Sequence, residues 1–224
     1  MIYIKKGSTP NKLVEFQQQE GAAYGNADFP RKAVYEALLQ EQGGICAYCM
    51  SRITMETIHI EHWIPQKGEH YTGEYTQEDC DRLSIDYQNM LGVCPGRKEQ
   101  SYKHTTCDHH RGNARIKIDP REEWMINTLR YLPSGKMESD DKDISHDISN
   151  ILNLNEPMLV ENRKSAWRAC EEMLKRKHQK GTWSKAMLEK QIDRYQGRDK
   201  QGNRYPYAGV VLYWLQKHQK RATR

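Results

Sequence analysis

Two groups of residues in this 224-residue chain carry chemistry by type and spacing. The first is sulfur. Cys46-x-x-Cys49, in "GGICAYC", is a tight turn whose two thiolates can converge on one ion, and zinc takes four such ligands in a tetrahedron. Cys94 and Cys107, with twelve residues between them, are the natural second pair. His104, three residues before Cys107, is a rival for the fourth position. Cys80 and Cys170 lie outside the pattern and read as ordinary thiols. The second group begins in "IEHWIP", where Glu61 and His62 stand together at an expected strand end. A neutral imidazole can take a proton from water at cellular pH, and a carboxylate can hold a hard cation. Farther on, "YQN" offers Asn89, and "CDHHRGNAR" offers Asp108, His109, His110, Arg111 and Arg115.

These residues need elements to position them. Adjacent side chains on a strand point to opposite faces, so the Glu61–His62 couple works together only where the strand ends or twists. Trp63 and Pro65 favour an ending there. Residues 53–60 are rich in β-branched types and read as that strand, and "MIYIK" alternates like another. "DFPRKAVYEALLQEQGG" reads as a helix with Val34, Ala37 and Leu38 on its apolar stripe and Gly43-Gly44 as its stop. Residues 66–82 look like a polar loop with a short helix, and "LSIDYQNMLGVCPG" is the next ordered piece. "EEWMINTLRYLPSGKMES" reads as a hairpin turning at Pro133-Ser134-Gly135. The remainder is mainly helical: Trp167, Cys170, Met173 and Leu174 recur at helical spacing, as do Val210, Val211, Trp214 and Leu215.

The chain is lean, 37% hydrophobic and 29% charged, so a bound metal or a partner surface would help it fold. No stretch reaches the roughly 18–20 apolar residues that span a bilayer, and "MIYIKKGSTPNKL" lacks the features of a signal peptide. The expected address is cytoplasmic, where cysteines serve as metal ligands rather than disulfides. Residues 160–224 hold 17 Lys and Arg against 6 Asp and Glu, a basic third suited to phosphates or to an acidic partner.

Over residues 33–118, "GGICAYC", "IEHWIP", "YQN" and "CDHHRGN" in this order resemble the HNH, or ββα-metal, nuclease family. The resemblance implies an α+β fold: a small zinc-stabilised ββα-metal core at 33–118, an N-terminal strand and helix segment at 1–32, and a mainly helical region at 119–224. It also implies site roles. His62 would be the general base and Asn89 its orienter, while Glu61 and Asp108 would hold a catalytic Mg²⁺ or Mn²⁺. Cys46, Cys49, Cys94 and Cys107 would hold a structural Zn²⁺. Asp108 stands where Asn or His is commoner, so His109 and His110 are alternative cation ligands. Arg111 and Arg115 are candidate phosphate contacts.

"DISNILNLNEPMLVENRKSAW" lies outside the nuclease pattern. With "MIYIKKGSTPNKL" and the segment after Cys107, it is similar to the PtuB group, HNH proteins of Septu antiviral systems that also occur beside retrons. That resemblance implies a bacterial antiphage effector working with a PtuA-like SMC/ABC-type ATPase and, through it, with a retron reverse transcriptase and its ncDNA. Tyr205, Tyr207, Tyr213 and Trp214, set among Lys and Arg, are candidate docking residues. The competing expectation is a zinc-stabilised adaptor without catalysis. Such an adaptor needs the cysteines but not Glu61, His62, Asn89 and Asp108. A zinc hydrolase is a third reading, disfavoured because four cysteines would close the ion to water.

Overall fold

The computed structural model describes residues 1–67, 75–177 and 183–222. Its architecture is α+β, with helices around two small antiparallel sheets. After a short α1 (Asn11–Gln17) comes α2 (Arg31–Gln42), the helix expected from the apolar stripe; Val34 and Leu38, one turn apart, are buried. Gly43 stops it in the left-handed region at φ 67°, and a Cβ there would lie 2.7 Å from Arg204.

The strand expected over 53–60 is shorter: β1 spans His59–His62. Residues before it close into a turn, with Ile58 N donating to Thr54 O at 2.9 Å. The β-branched run therefore buries Ile53 and Ile58 outside the strand, with Ile53 N donating to Gly44 O at 3.0 Å, and the partner strand β2 (Met90–Val93) is only four residues long. The two pair antiparallel, with His59 opposite Val93, Glu61 opposite Leu91 and His62 opposite Met90. The buried Gln42 closes the outer edge of β2 by accepting from Gly92 N at 2.7 Å and donating to Gly92 O at 2.7 Å. Between β1 and β2 lie α3 (Gln77–Ser84), opened by a Thr76–Asp79 capping box, and a 3₁₀ turn at Tyr87–Asn89. The loop expected at 66–82 thus ends in helix, and its residues 68–74 lie outside the described ones. After β2 comes α4 (Cys107–Arg111).

Two other expectations change. "MIYIK" joins no sheet; Ile4 N donates to Pro120 O at 2.8 Å while Met1 and Ile4 are buried. The first half of the expected hairpin is α5 (Glu123–Asn127), and only β3 (Leu129–Tyr131) and β4 (Met137–Ser139) pair around the 133–135 turn. Next, α6 (Lys142–His146) runs into a π turn, and α7 (Pro157–Lys177), α8 (Lys185–Gln196) and α9 (Ala208–Ala222) follow. Both expected stripes face inward: Cys170, Leu174, Val210, Val211 and Leu215 are buried, and Trp214 stacks on Trp167 at 6.0 Å.

The aromatic residues expected to face a partner also turn to neighbours within the chain. Tyr205 lies beside Tyr195, Tyr213 meets Tyr131, and the Tyr207 hydroxyl accepts from Asn162 at 2.9 Å. None of the described helices is long and apolar enough to cross a membrane.

Candidate active site and metal centre

Cys46, Cys49, Cys94 and Cys107 bring their four sulfurs within 4.8 Å of one another. The Cys46–Cys107 separation is 3.9 Å and the Cys49–Cys94 separation 3.7 Å. A zinc tetrahedron with Zn–S bonds of about 2.3 Å has edges of about 3.8 Å, and a disulfide would need about 2.05 Å. The donor set therefore fits a structural zinc. The first turn is shaped by Met50, at φ 65°, and by Ser51 N donating to Cys49 Sγ at 3.4 Å. The long separation of Cys94 and Cys107 is an excursion pinched at its base: Thr106 N donates to Gly96 O at 2.8 Å. Only glycine fits at 96, since a Cβ would sit 2.2 Å from Thr106 O.

His104 is not part of this cluster. Its Nδ1 faces Glu156 Oε1 at 3.3 Å, and Arg97 donates to the same oxygen at 2.7 Å. The LNLNE segment holds the excursion in place. Leu152 O accepts from Cys107 N at 2.9 Å, and Asn153 Nδ2 donates to the carbonyls of Lys103 and Thr105. The tail motif thus supports Cys107, the fourth sulfur of the cluster, from outside it.

Glu61 points to the buried side of β1. Tyr48, inside the Cys46–Cys49 turn, donates to Glu61 Oε1 at 2.8 Å, and Arg111 Nη1 donates to the same oxygen. Asp108, on the first turn of α4, lies near enough for its charge to act on the Glu61 carboxyl. Burial first, then the neighbouring Asp108 charge, pushes Glu61 up to about 7 against the pull of Arg111. The buried Glu61 and the half-buried Asp108 offer hard oxygens of the kind a divalent cation takes, and Oε2 of Glu61 is the oxygen that Tyr48 and Arg111 leave over. His109 is exposed. His110 stacks on Tyr102 at 4.3 Å with Nδ1 against Thr105 Oγ1 at 3.0 Å. Of the three residues after Cys107, Asp108 is the one whose charge acts on Glu61.

Arg111 overturns its expected role. Its side chain is fully buried. Besides Tyr48 and Glu61 it donates to the carbonyls of His62, Trp63 and Ala114. No donor is left at the surface for a phosphate, because a guanidinium taken out of water must satisfy all its N–H groups inside. We expect Arg111→Met to destabilise the fold by about 3–5 kcal/mol, the cost of leaving one buried charge alone. Chemical denaturation measures this, and an unchanged midpoint would refute it. Arg115 is half-buried with its guanidinium over the Tyr75 ring at 5.2 Å.

His62 ends β1 with its ring buried on the opposite side. Nε2–H donates to the Ser84 carbonyl at 2.8 Å, and Nδ1 accepts from Gln66 Nε2 at 3.0 Å. A carbonyl can only accept, so the proton sits on Nε2 and the lone pair on Nδ1. Burial lowers the pKa of the ring and keeps it neutral. The expected orienter, Asn89, does not touch the ring. It accepts from Ile64 N at 2.7 Å and donates to the carbonyls of Ile64 and Leu83. Asn89 thereby ties the end of α3, with its Ser84 carbonyl, to the chain just beyond His62. Tyr48, Ser84 and Gln66 had no signal in the sequence, since two act through position and one through its backbone.

No family model matches the chain. It is 23% identical over 177 residues to the protein named "Retron Vc95 putative HNH endonuclease" from Vibrio cholerae serotype O1 biovar El Tor, covering 73% of this chain and 81% of that protein. It is also 23% identical over 143 residues to the Septu protein PtuB of Bacillus thuringiensis, covering 62% of this chain and 46% of that protein.

Proposed function

We propose that this chain, a relative of HNH endonuclease and PtuB proteins of bacterial defence systems, is a metal-dependent endonuclease that hydrolyses phosphodiester bonds. The observation that carries the reading is a buried, neutral His62 whose Nε2–H is held by the Ser84 carbonyl and whose lone pair is on Nδ1, next in the chain to a buried Glu61 that feels the charge of Asp108. A Mg²⁺ or Mn²⁺ ion held by Glu61 and Asp108 would supply charge stabilisation at the phosphate and leaving oxygen. The Ser84 carbonyl keeps the imidazole in the tautomer that can accept a proton from water at Nδ1. Gln66 covers that nitrogen, so its amide must swing away, or bond the same water, before the base acts. Residues 33–118 form the proposed nuclease core. Within it a zinc held by Cys46, Cys49, Cys94 and Cys107 would join the first turn to the base of α4, and so keep Tyr48 and Asp108 on the Glu61 side of β1.

In the cell we place the chain as the effector of an antiphage complex with a PtuA-like SMC/ABC-type ATPase. A retron reverse transcriptase and its ncDNA would be engaged through the ATPase. Residues 119–224 are the proposed docking region, although much of this region is bound to the core: Tyr207 N donates to Met50 O and Arg204 N to Gly43 O. Deleting it would expose the zinc turn, so docking is better tested by point substitution at Trp124, which is 56% exposed. Trp124→Asp should weaken capture of the ATPase while leaving the melting temperature unchanged, and undiminished capture would count against docking there.

The test of the activity is degradation of plasmid DNA and of RNA with Mg²⁺ or Mn²⁺, alone and with the ATPase, with EDTA as control. DNA is the default substrate, and the residue set acts on the phosphate without selecting the sugar. One observation favours the adaptor reading, namely that both ring nitrogens of His62 are engaged inside the fold. An adaptor would tolerate Glu61→Gln and His62→Ala in a phage-protection assay; a nuclease would not.

The raised Glu61 pKa gives a pH signature. Its folded value of about 7 lies above the ordinary carboxyl value, so its contribution to stability is present below about 4.5 and lost as pH rises through about 7. That loss is roughly 3 kcal/mol in the absence of a cation. A cation binding the ionised pair offsets it. The rise in melting temperature on adding Mn²⁺ should therefore be larger at pH 8 than at pH 5.5, and an equal rise at both would refute the site.

A further inference from the structure

With Arg111 spent inside the fold, the proposed site presents two carboxyl groups to an anionic substrate and needs a cation at its mouth. We propose that Arg31, on the first turn of α2 and outside every motif of the nuclease pattern, contacts the substrate phosphate. This rests on the nuclease reading above and adds a residue to it.

Arg31 is exposed, and among the described residues no carboxylate pairs with its side chain. Its guanidinium is nevertheless held in place. Nη1 donates to the Tyr24 hydroxyl at 3.0 Å, and the guanidinium carbon lies over the Tyr24 ring at 5.0 Å and the Phe29 ring at 5.4 Å. Those rings stand on a firm base. Phe29 is buried and meets Phe16 edge-on at 5.5 Å, and Tyr24 packs on Phe29 at 4.8 Å. The other side of this shelf is the site itself, where the Tyr24 ring contacts the His62 ring edge-on at 4.6 Å. One aromatic ring thus separates a fixed, solvent-facing guanidinium from the proposed base.

The chemistry suits a phosphodiester. A guanidinium offers five N–H donors in a planar fork, and donors not used by tyrosine hydroxyls remain for phosphate oxygens. Because the Tyr24 hydroxyl accepts from Arg31, its own proton is free to donate to the same anion. Stacking on two rings removes much of the rotamer freedom that an exposed arginine would otherwise lose on binding. Lysine in its place would keep the charge and lose the fork.

The experiment compares wild type, Arg31→Ala and Arg31→Lys. Affinity for fluorescein-labelled DNA and RNA strands and duplexes is measured over a salt series without added divalent cation, and cleavage with Mn²⁺ is measured alone and with the ATPase. For Arg31→Ala we expect roughly 10–100-fold weaker binding, the loss of a charge-assisted contact. The slope of log affinity against log salt should also be shallower by about 0.9 on duplex or 0.7 on single strands. Arg31→Lys should restore the slope but not the full cleavage rate. Zinc content and melting temperature should match wild type in both, which a merely structural residue would not allow together with a changed slope. If Arg31→Ala binds and cuts as wild type does, the assignment of Arg31 is wrong while the nuclease reading stands. If wild type neither binds nor cuts any probe, the nuclease reading fails and takes Arg31 with it.

Discussion

His62→Ala is expected to lower metal-dependent cleavage by about 10²–10⁴-fold, the contribution of a positioned general base. The ring supplies the Nδ1 lone pair, and the Ser84 carbonyl at 2.8 Å holds the proton on the other nitrogen. Two other imidazoles near the core are placed differently. His59 shares Glu61's parity on β1 and lies toward Lys98, Cys94 and His109, and His110 is fixed by Thr105 and Tyr102. The substitution leaves the Ser84 carbonyl without its donor, which costs about 1–3 kcal/mol, so the fold should survive with its zinc. Cleavage, zinc content and melting temperature measured on one preparation separate the outcomes. Full activity with zinc retained would end the assignment of His62 as base. The acid side of the rate profile gives a further check. Burial lowers the His62 pKa, so the fall in rate below about pH 7 should follow cation release from Glu61 and move to lower pH as Mn²⁺ is raised.

The second large effect is expected from the sulfur cluster. Cys107→Ser should reduce bound zinc below stoichiometric and unfold much of the chain at temperatures where wild type is folded. Binding of structural zinc is worth about 10–16 kcal/mol in small zinc peptides, and whole domains are stable by about 5–15 kcal/mol. Here the ion would replace core that a chain 37% hydrophobic lacks. Cys107 is buried, takes φ 55° and donates its backbone N–H to Leu152 O, so disorder of the cluster around a serine there would spread to the segment leading into α7. Zinc release on thiol modification, followed with circular dichroism, measures both consequences. A Cys107→Ser chain that melts like wild type and carries no zinc would show that the cluster does not hold the fold together. Cys80→Ser, at a buried thiol away from the cluster, is the control.

Residue type and local spacing were enough to find the four cysteines, the α2 helix, the inward stripes of the C-terminal helices, and Glu61 beside His62 at a strand end. Ligand chemistry resides in the side chain itself, and helical periodicity repeats within a few residues, so both can be read along the chain. What the fold alone decided are contacts between residues far apart. His62 and Ser84 are 22 residues apart, and Glu61 and Arg111 are 50 apart. Those contacts assigned the lone pair to Nδ1 and took Arg111 out of solvent. They also sent His104 to Glu156 instead of the cysteine cluster. An exposed arginine and a buried one read alike in a sequence, because burial belongs to the surroundings and not to the residue. Only when the Cys46–Cys49 turn, β1 and α4 are brought together is the guanidinium of Arg111 taken out of water, and there Glu61, Tyr48 and three backbone carbonyls replace the water it has lost.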